Sequence, residues 1–594
     1  EQEVEHRIDA ATREAEEGFN KCPNCAFGNF KRFRFCTICG TSLQVDSADG
    51  DQQDRNPWAR QSITARQRRA RKRNEWQRKI DVEGNMFWYR SGGSSVTAGD
   101  AHGSGSSITH NSEAEPTSLD LPSFVVRFEP PPPPQAQDDV DEADDPTAAT
   151  TEGEDNPVVR HVAELLEAEI TQLKSDLVPS TDADAAVFPN NQALGSAEQK
   201  RELIEMANRD FPTKYAQFIV STASLLVPAE VEFLKLSVHR DYVVEESVDH
   251  LTCISEKNMR SIMRINFLDE NGVDAGALHR EWFMLLNELL ADPSLGVFEC
   301  SNKADNTFYL SRTSSTIVGG EQLSYVFAAG RLVGRALLEG ETMGFHLAVP
   351  LLKIILGIPV TIADVEHLEP ETYRSMLWIA DHDGVDDLGL DFTVTEKRGD
   401  HTVTIPLVPG GADMAVTDEN KLEYLQRKFQ YMVFESVSAQ LYVFLKGIYE
   451  VVPPNLLMQF DHEELDYLLC GSDAIDVQDW EQHTNVSSNL LGTRTLRWFW
   501  EVVRDMPNEY KRRLLQFATG CSRVPLVGFK GLTSYDGRLC PFTLKGIGMT
   551  AANQYVRSHA CFNRLDLPVY PSKQDLETVL YATLETELYG FTTE

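Results

Sequence analysis

Cysteine and positive charge are both scarce in this chain of 594 residues, and each shortage excludes a class of protein. Ten cysteines are too few for a disulfide scaffold of this length, and four of them fall in one paired motif, which indicates a reducing compartment. The 55 lysines and arginines are outnumbered by 91 aspartates and glutamates. The resulting net charge of −36 argues against a nucleic-acid partner for the chain as a whole.

Long apolar runs are missing as well. The most apolar stretch, Leu347–Val360, is interrupted by Pro350, Lys353, Gly357 and Pro359, whereas a membrane-spanning helix needs about 20 apolar residues in a row. We therefore expect no membrane span and a location in the cytoplasm. The chain begins with glutamate rather than methionine, so it is compatible with a fragment whose targeting signal would not be visible. An apolar content of 42% is typical of a globular protein with several domains.

Two closely spaced pairs of cysteines stand near the start of the chain. Cys22 and Cys25 form one Cys-x2-Cys pair, Cys36 and Cys39 form another, and ten residues separate the pairs. Four thiolates at this spacing can close a tetrahedral zinc site. A segment this short cannot bury a core, so the metal would supply its folding energy. The sequence therefore predicts a structural zinc site on these four cysteines.

The spacing Cys-x2-Cys-x3-Asn-x6-Cys-x2-Cys, with Asn29 as its asparagine, resembles the Ran-binding-protein type of zinc finger and predicts a domain at residues 18–44. Asn20 stands where that family carries a tryptophan. The resemblance implies ubiquitin, single-stranded RNA or another protein as the ligand and leaves the choice open. Phe27 lies near the position of the Thr-Phe pair in ubiquitin-binding members, but Ala26 replaces the threonine.

Residues 57–90 combine a basic segment with a predicted hairpin. The arginines and lysines between Arg60 and Arg78 favour a solvated helix face, and a nuclear-import signal or a contact with an anionic surface is the alternative. The turn Asp81–Gly84 separates two segments rich in aromatic residues, which predicts a β-hairpin. Its spacing resembles the first half of a WW domain, but the second half is absent.

Linker composition dominates the next part of the chain. Residues 91–156 are Gly/Ser-rich, then proline-rich at Pro130–Pro134, then acidic, and we expect them to be disordered. The five prolines could bind an aromatic-lined groove or serve as a spacer. Apolar residues at helical spacing predict an amphipathic helix at 158–178, ended by Pro179. Globular patterning resumes at about residue 197.

One cysteine near the C-terminus has polar, hydrogen-bonding neighbours. Cys561 is surrounded in sequence by His559, Arg564 and Asp566, and Pro568 keeps the following segment extended. A buried cysteine is the ordinary alternative, but these flanks do not suit a core strand or helix. They suit a loop that presents a thiol, and a nearby arginine favours the thiolate.

The segment His-Ala-Cys-Phe-Asn-Arg-Leu-Asp-Leu-Pro at 559–568 resembles the active-site loop of the HECT family of ubiquitin ligases, with Ala560 in place of the usual threonine. The resemblance implies a multidomain protein with a bilobal α+β catalytic domain: a mostly helical N-lobe at 197–484, a hinge at 485–489 and an α/β C-lobe at 490–594. The other segments that carry the resemblance are 269–283, 327–334, 469–471, 475–480, 498–500 and 515–525.

The resemblance also implies roles for individual residues. Cys561 would form a thioester with the C-terminal glycine of ubiquitin, and Phe591, fourth from the C-terminus, would position the acceptor. A ubiquitin-conjugating enzyme would dock on about residues 378–449, and a lysine of a protein substrate would receive the ubiquitin without any catalytic cofactor. His559 and Asp566 could take up protons or could only fix the loop, and the sequence leaves both roles open.

Two other functions compete with the ligase. A cysteine protease acting on ubiquitin conjugates would need a histidine base and an orienting carboxylate or amide near Cys561, and no protease motif surrounds the scattered histidines. A non-catalytic adaptor would use the zinc finger and linker motifs to gather partners. Ala560 favours the adaptor, whereas Cys561 and Phe591 favour the ligase.

Overall fold

The computed structural model describes 2–43, 70, 73, 75–90, 122–129, 157–180, 196–228, 232–268, 277–303, 306–312, 322–398, 401–471, 475–519, 524–526, 528–532, 540–550 and 554–585. Helices in this part of the chain are numbered in order: α1 (Gln2–Glu16), α2 (Pro157–Gln172), α3 (Ala197–Ala207), α4 (Phe211–Ala223), α5 (Val243–Cys253), α6 (Ala277–Leu290), α7 (Gln322–Glu339), α8 (Val349–Ile355), α9 (Pro370–Asp381), α10 (Lys421–Val433), α11 (Ser438–Val451), α12 (Pro454–Leu457), α13 (His462–Cys470), α14 (Val477–Gln482), α15 (Arg494–Asp505), α16 (Asn508–Thr519) and α17 (Lys573–Glu585).

The strands of the described residues pair in small sheets. In chain order they are β1 (Phe19–Lys21), β2 (Gly28–Phe30), β3 (Trp76–Ile80), β4 (Met86–Arg90), β5 (Phe124–Glu129), β6 (Lys174–Pro179), β7 (Phe233–Val238), β8 (Ile262–Phe267), β9 (Phe298–Asn302), β10 (Thr307–Leu310), β11 (His346–Leu347), β12 (Thr393–Arg398), β13 (His401–Pro406), β14 (Asn485–Val486), β15 (Thr543–Ile547), β16 (Arg557–His559) and β17 (Arg564–Pro568). The mixture of helix and strand confirms the predicted α+β content.

Two separate hydrophobic clusters organise these elements. The first draws its buried side chains from Ala11 through Cys470, and the second draws them from Ile475 through Leu584. We call the parts of the chain around them the first unit and the second unit. Among the helices that the structure describes, none is long and apolar enough to cross a membrane.

The buried helix α7 packs against α11 at the centre of the first unit. Glycines allow the two backbones to approach closely, since a Cβ on Gly330 would lie 2.2 Å from the carbonyl oxygen of Phe444. Next to this contact, Arg331 Nε donates a hydrogen bond of 2.9 Å to a carboxylate oxygen of Glu450. Arg331, one of the residues that carry the family resemblance, is therefore part of the buried framework.

A four-stranded sheet in the order β14-β15-β17-β16 forms the second unit, with β14, β15 and β17 parallel and β16 antiparallel to β17. Helices α15, α16 and α17 supply the apolar side chains that pack with it. Trp480 on α14 belongs to the same cluster and stacks on the ring of Phe529 with centroids 4.8 Å apart.

This assignment corrects the predicted hinge at 485–489. Residues 485 and 486 form β14, which pairs with β15, and Asn489 Nδ2 donates a 2.6 Å hydrogen bond to the carbonyl of Gly546. The two clusters separate earlier, between Cys470 and Ile475. Polarity alone misled the prediction, because polar side chains at a sheet edge can satisfy backbone groups as well as remain in solvent.

Other local predictions meet mixed outcomes. The predicted hairpin β3–β4 is confirmed, and β12 and β13 form another antiparallel pair. Residues 233–238 form β7, parallel to β8. The disordered linker predicted at 91–156 is wrong for 122–129, which contains β5. The helix predicted at 158–178 ends at Gln172, because residues 174–179 form β6 and pair with β5.

The segments ahead of residue 197 pack on the first unit. Arg78 of the hairpin is buried over the ring of Trp88 at 4.4 Å, and it donates hydrogen bonds to the carbonyls of Leu356 and Met458. The carbonyl contacts fasten the predicted half-WW hairpin to the first unit. The rest of the basic segment between Arg60 and Arg78, apart from residues 70, 73 and 75–77, and Pro130–Pro134 lie outside the described residues.

Candidate active site and cysteine cluster

Cys561 lies in a tight turn between β16 and β17. Residues Ala560–Phe562 form one turn of 3-10 helix, and Asn563 ends it in the left-handed conformation with φ of 46°. Asparagine tolerates this conformation better than most residues. The buried side-chain amide of Asn563 donates a 2.8 Å hydrogen bond from Nδ2 to the carbonyl of Cys540, and the backbone carbonyl of Asn563 accepts a 2.9 Å hydrogen bond from the N–H of Thr543. The backbone of the cysteine turn is therefore anchored to the adjoining strand.

Asp566 ties together the polar neighbours of this turn. Its carboxylate accepts hydrogen bonds from Arg564 Nε at 2.8 Å and Nη2 at 3.1 Å, and His559 Nε2 lies 3.2 Å from Oδ2. Burial by itself raises the pKa of Asp566, but the bonds from Arg564 and His559 outweigh it and lower the pKa below its usual range. The carboxylate is therefore ionised and committed to two partners that flank the turn.

The same turn is joined to helix α16. Ser558 Oγ donates a hydrogen bond to the carbonyl of Phe517 at the C-terminal end of that helix, and Cys540 Sγ contacts the carbonyl of Phe562 at 3.2 Å. The Phe562 side chain is exposed next to Cys561. Phe591, the other predicted residue of this site, lies outside the described residues.

The four predicted zinc ligands come together near the N-terminus. The Sγ atoms of Cys22 and Cys39 are 3.5 Å apart, those of Cys25 and Cys36 are 3.6 Å apart, and all four lie within 4.8 Å of one another. Zinc–sulfur bonds of about 2.3 Å in a tetrahedron place sulfur atoms about 3.8 Å apart. The geometry and the donor set therefore fit a zinc ion.

Asn29 holds the two cysteine pairs in register. Its Oδ1 accepts hydrogen bonds from the N–H of Thr37 at 2.9 Å and from the Thr37 hydroxyl at 3.1 Å, and its Nδ2 donates to the carbonyl of Phe27 at 3.1 Å. The side chain thus joins the loop after the first pair to the loop that carries the second pair. This explains physically why the spacing pattern includes an asparagine.

The finger is packed on the first unit, and this bears on its predicted ligand. Phe27 is fully buried, with its ring centroid 5.4 Å from that of Phe211 and 6.3 Å from that of Tyr467. A Cβ on Gly28 would lie 2.9 Å from the Cβ of Asp210. Phe27 is therefore not accessible as a contact for ubiquitin in this structure.

The predicted docking region for a conjugating enzyme, 378–449, is only partly on the surface. Helix α11 lies within it and is largely buried against α7. Trp378 is 46% exposed and stacks on His382 with ring centroids 4.5 Å apart. Further exposed apolar side chains of the same region are Leu388, Met414 and Leu422. The exposed apolar side chains of the predicted region therefore lie between residues 378 and 422, ahead of α11.

A second group of possible metal donors went unnoticed in the sequence. His346, Asp466 and Cys470 bring their donor atoms within 4.8 Å of one another. His346 Nδ1 lies 2.9 Å from Asp466, and Cys470 Sγ donates to the carbonyl of Phe345 at 3.1 Å. These contacts account for the group as an ion pair beside a buried thiol. The residues are far apart in the chain, so no spacing motif could have revealed it.

The family model described as "HECT-domain (ubiquitin-transferase)" matches residues 283–594. Two curated proteins of Schizosaccharomyces pombe are similar to the chain at 35% identity. "E3 ubiquitin-protein ligase pub1" aligns over 383 residues, which are 64% of this chain and 49% of the relative. "E3 ubiquitin-protein ligase pub3" aligns over 359 residues, 60% of this chain and 45% of the relative. The chain thus spans about half the length of these relatives.

Proposed function

Because the chain belongs to the HECT-domain family of ubiquitin transferases, we propose that it is a ubiquitin-protein ligase that carries ubiquitin as a thioester on Cys561. The observation that supports this most directly is the turn at 560–562, held between two strands by Asn563 and Asp566 inside the region that the family model matches. The substrates and the partners of the whole protein belong to the same proposal.

In the first step, the Cys561 thiolate attacks the thioester carbonyl that joins ubiquitin to the conjugating enzyme. The new carbon–sulfur bond forms as the old one breaks, and the thiolate of the conjugating enzyme leaves. Only a few per cent of an ordinary cysteine is thiolate at neutral pH, but that fraction is a strong nucleophile. Exchange of one thioester for another is nearly balanced in energy, so positioning of the two sulfurs supplies much of the rate.

In the second step, the uncharged amine of a substrate lysine attacks the thioester, an isopeptide bond forms, and Cys561 leaves as a thiolate. The proton lost from the lysine nitrogen passes to the leaving sulfur or to solvent. We assign Asp566 and His559 as positioning residues. Asp566 is already bound by Arg564 and His559, and a carboxylate of lowered pKa is a weak proton acceptor. Phe591 is proposed to position the acceptor, on the strength of the family resemblance alone.

The two units are proposed to be the two lobes of the catalytic domain. The first unit would be the N-lobe, and it would receive the conjugating enzyme on the surface around Trp378. The second unit would be the C-lobe, and it would turn about the connection at Gly471 rather than about residues 485–489. Such a turn lets one thiol face the conjugating enzyme first and the substrate afterwards.

The remaining parts are proposed to support this activity. Zinc held by Cys22, Cys25, Cys36 and Cys39 would stabilise the N-terminal finger, and catalysis itself would need no cofactor. The proposed location is the cytoplasm, with entry into the nucleus if the basic segment acts as an import signal. Pro130–Pro134 would offer a ligand to proteins with an aromatic-lined groove.

A single-turnover assay with a pre-charged conjugating enzyme tests the proposal. On a non-reducing gel, the wild-type chain should form a ubiquitin adduct that disappears with thiol. Cys561→Ser should give an adduct that only hydroxide removes, or none, while Cys300→Ser should behave as the wild type. Failure of the wild type with a broad panel of charged conjugating enzymes would overturn the ligase proposal and favour the adaptor.

A further inference from the structure

The N-terminal residues 2–43, which we call the bridging segment, contact both units of the fold. Toward the first unit, α1 packs on α4, and the ring of Phe30 lies 5.8 Å from Phe211 and 5.9 Å from Tyr215. These contacts are apolar and buried. The bridging segment is therefore fastened to the first unit through its hydrophobic face.

Toward the second unit, the contacts are charged and converge on one carboxylate. The Glu14 side chain is only 2% exposed, and Arg32 Nη1 lies 2.7 Å from its Oε2. Lys530, which belongs to the second unit, forms an ion pair with Oε1 of the same carboxylate. Arg32 also donates a hydrogen bond to the carbonyl of Leu526. Glu14 thus lies between a cation of the bridging segment and a cation of the second unit.

Both cations approach Glu14 from positions that are held by other contacts. The Arg32 guanidinium lies 4.5 Å from the ring centroids of both Phe30 and Phe33. The N–H of Phe529, directly before Lys530, donates a 2.9 Å hydrogen bond to Asp479 Oδ2. The surfaces also fit closely, because a Cβ on Gly528 would lie 3.0 Å from Arg32 Nε. A buried carboxylate with two positioned cations resists separation, since removal of either one leaves charge poorly compensated.

We propose that the bridging segment is an intramolecular restraint that holds the second unit in the orientation seen here, and that the Glu14–Lys530 contact is its release point. This rests on the proposed function, in which the second unit must turn so that Cys561 meets two partners. The covalent connection between the clusters runs through Gly471, and Gln516 Nε2 of the second unit lies 3.0 Å from Met284 Sδ of the first unit, so the bridging segment adds a further, charged link. Breaking that link should raise the rate at which Cys561 accepts ubiquitin.

The size of the effect follows from a two-state argument. The Glu14–Lys530 contact forms in only one orientation of the second unit and stabilises it. The populations of the other orientations fall by the Boltzmann factor of that stabilisation. For one partly exposed ion pair, a factor of about 1.5 to 5 is expected. Lys530 is the better residue to change, because its side chain is 37% exposed and its replacement leaves the buried Glu14 paired with Arg32.

The experiment compares Lys530→Met with Lys573→Met in the full chain. Lys573 is a matched control: its side chain is 38% exposed, and it pairs with Glu501 inside the second unit. Hydrogen–deuterium exchange is measured first, on peptides that contain Glu14 and Phe529, because this readout does not depend on any activity. The rate of single-turnover charging of Cys561 is measured second.

The restraint would be supported if Lys530→Met exchanged faster in both peptides and was charged about 1.5- to 5-fold faster, while Lys573→Met showed neither change. Exchange identical in the two variants would overturn the link between the units. Faster exchange with unchanged or slower charging would overturn its restraining role. A third outcome is faster exchange in Lys530→Met while the wild type forms no ubiquitin adduct. In that case the proposed ligase function fails, and the claim that the restraint slows charging of Cys561 is overturned with it.

Discussion

Arg564 Nε donates a 2.8 Å hydrogen bond to Asp566 Oδ1, and this pair joins the strand after Cys561 to His559 before it. The two residues lie only two positions apart in the sequence, and their bond adds to the side-chain bonds of Asn563 and Ser558 around the same turn. Its role can be tested separately from that of Cys561.

We expect Asp566→Asn to slow charging of Cys561 by about 5- to 30-fold without shifting the pH profile of the rate, because a lost positioning contact costs about 1–2 kcal/mol. A residue that took up protons would instead change the shape of that profile. The measurement is the single-turnover charging rate from pH 6 to 9. Asp575→Asn, on α17, is the control, and a profile that flattens in Asp566→Asn would assign a proton-transfer role.

If the four cysteines bind zinc, both the zinc content of the chain and the resistance of its first 43 residues to proteolysis should depend on them. One zinc per chain should be found by atomic spectroscopy in the wild type and in Cys300→Ser, which removes a cysteine outside the cluster. Cys25→Ser should lose most of the zinc and increase proteolysis of the first 43 residues, since a structural site supplies folding energy to its own segment. A full complement of zinc in Cys25→Ser would contradict the assigned ligands.

Gly330→Ala should destabilise the first unit strongly. The added Cβ would lie 2.2 Å from the carbonyl oxygen of Phe444, and the α7–α11 contact must widen to accept it. Overpacking of this kind costs about 1–3 kcal/mol or more, which should lower the thermal midpoint by several degrees. Gly548→Ala is the control, because its Cβ meets nothing within 4 Å. Equal midpoints for the two variants would show that the helices are less closely packed than described.

Trp378→Ala should weaken docking of the conjugating enzyme. If the exposed indole is an anchor, its loss costs about 1–2 kcal/mol of binding, and the KM for the charged conjugating enzyme should rise roughly 5- to 30-fold while kcat changes little. Tyr242→Ala removes an exposed aromatic elsewhere on the first unit and should leave KM unchanged. A normal KM in Trp378→Ala would place the docking surface away from α9.

Acid should destabilise the first unit through His462. Burial lowers the pKa of His462 to about 4, with a further contribution from Lys353, whereas an unfolded histidine titrates near 6.5. As pH falls, the unfolded chain therefore binds the proton first, and stability is lost between about pH 6.5 and 4. Urea midpoints across this range should fall less steeply in His462→Gln. Parallel curves for the variant and the wild type would exclude this histidine as a cause.

The sequence predicted structural features correctly where the interacting residues lie close together in the chain. The doubled Cys-x2-Cys spacing predicted four sulfur atoms that the structure brings within 4.8 Å of one another. The turn Asp81–Gly84 between two strand-like segments predicted the β3–β4 hairpin. In both cases the interacting atoms are close in the chain, so spacing and period are sufficient information.

Contacts between distant parts of the chain were decided only by the tertiary structure. β5 pairs with β6 although residues 130–173, which include the amphipathic helix, lie between them, and that pairing ends the helix at Gln172. The polar residues Asn485 and Asn489 read as a hinge, but their partners are Phe542–Gly546 in the second unit. The ion pair of Glu14 with Lys530 joins residues more than 500 positions apart. The sequence by itself determined the family, and it supplied the proposals for the reactive cysteine and the zinc ligands, because each depends on residues in a short pattern. The contacts that join the two units bury charge and apolar surface between residues far apart in the chain. Only the folded chain therefore decides which segments make them.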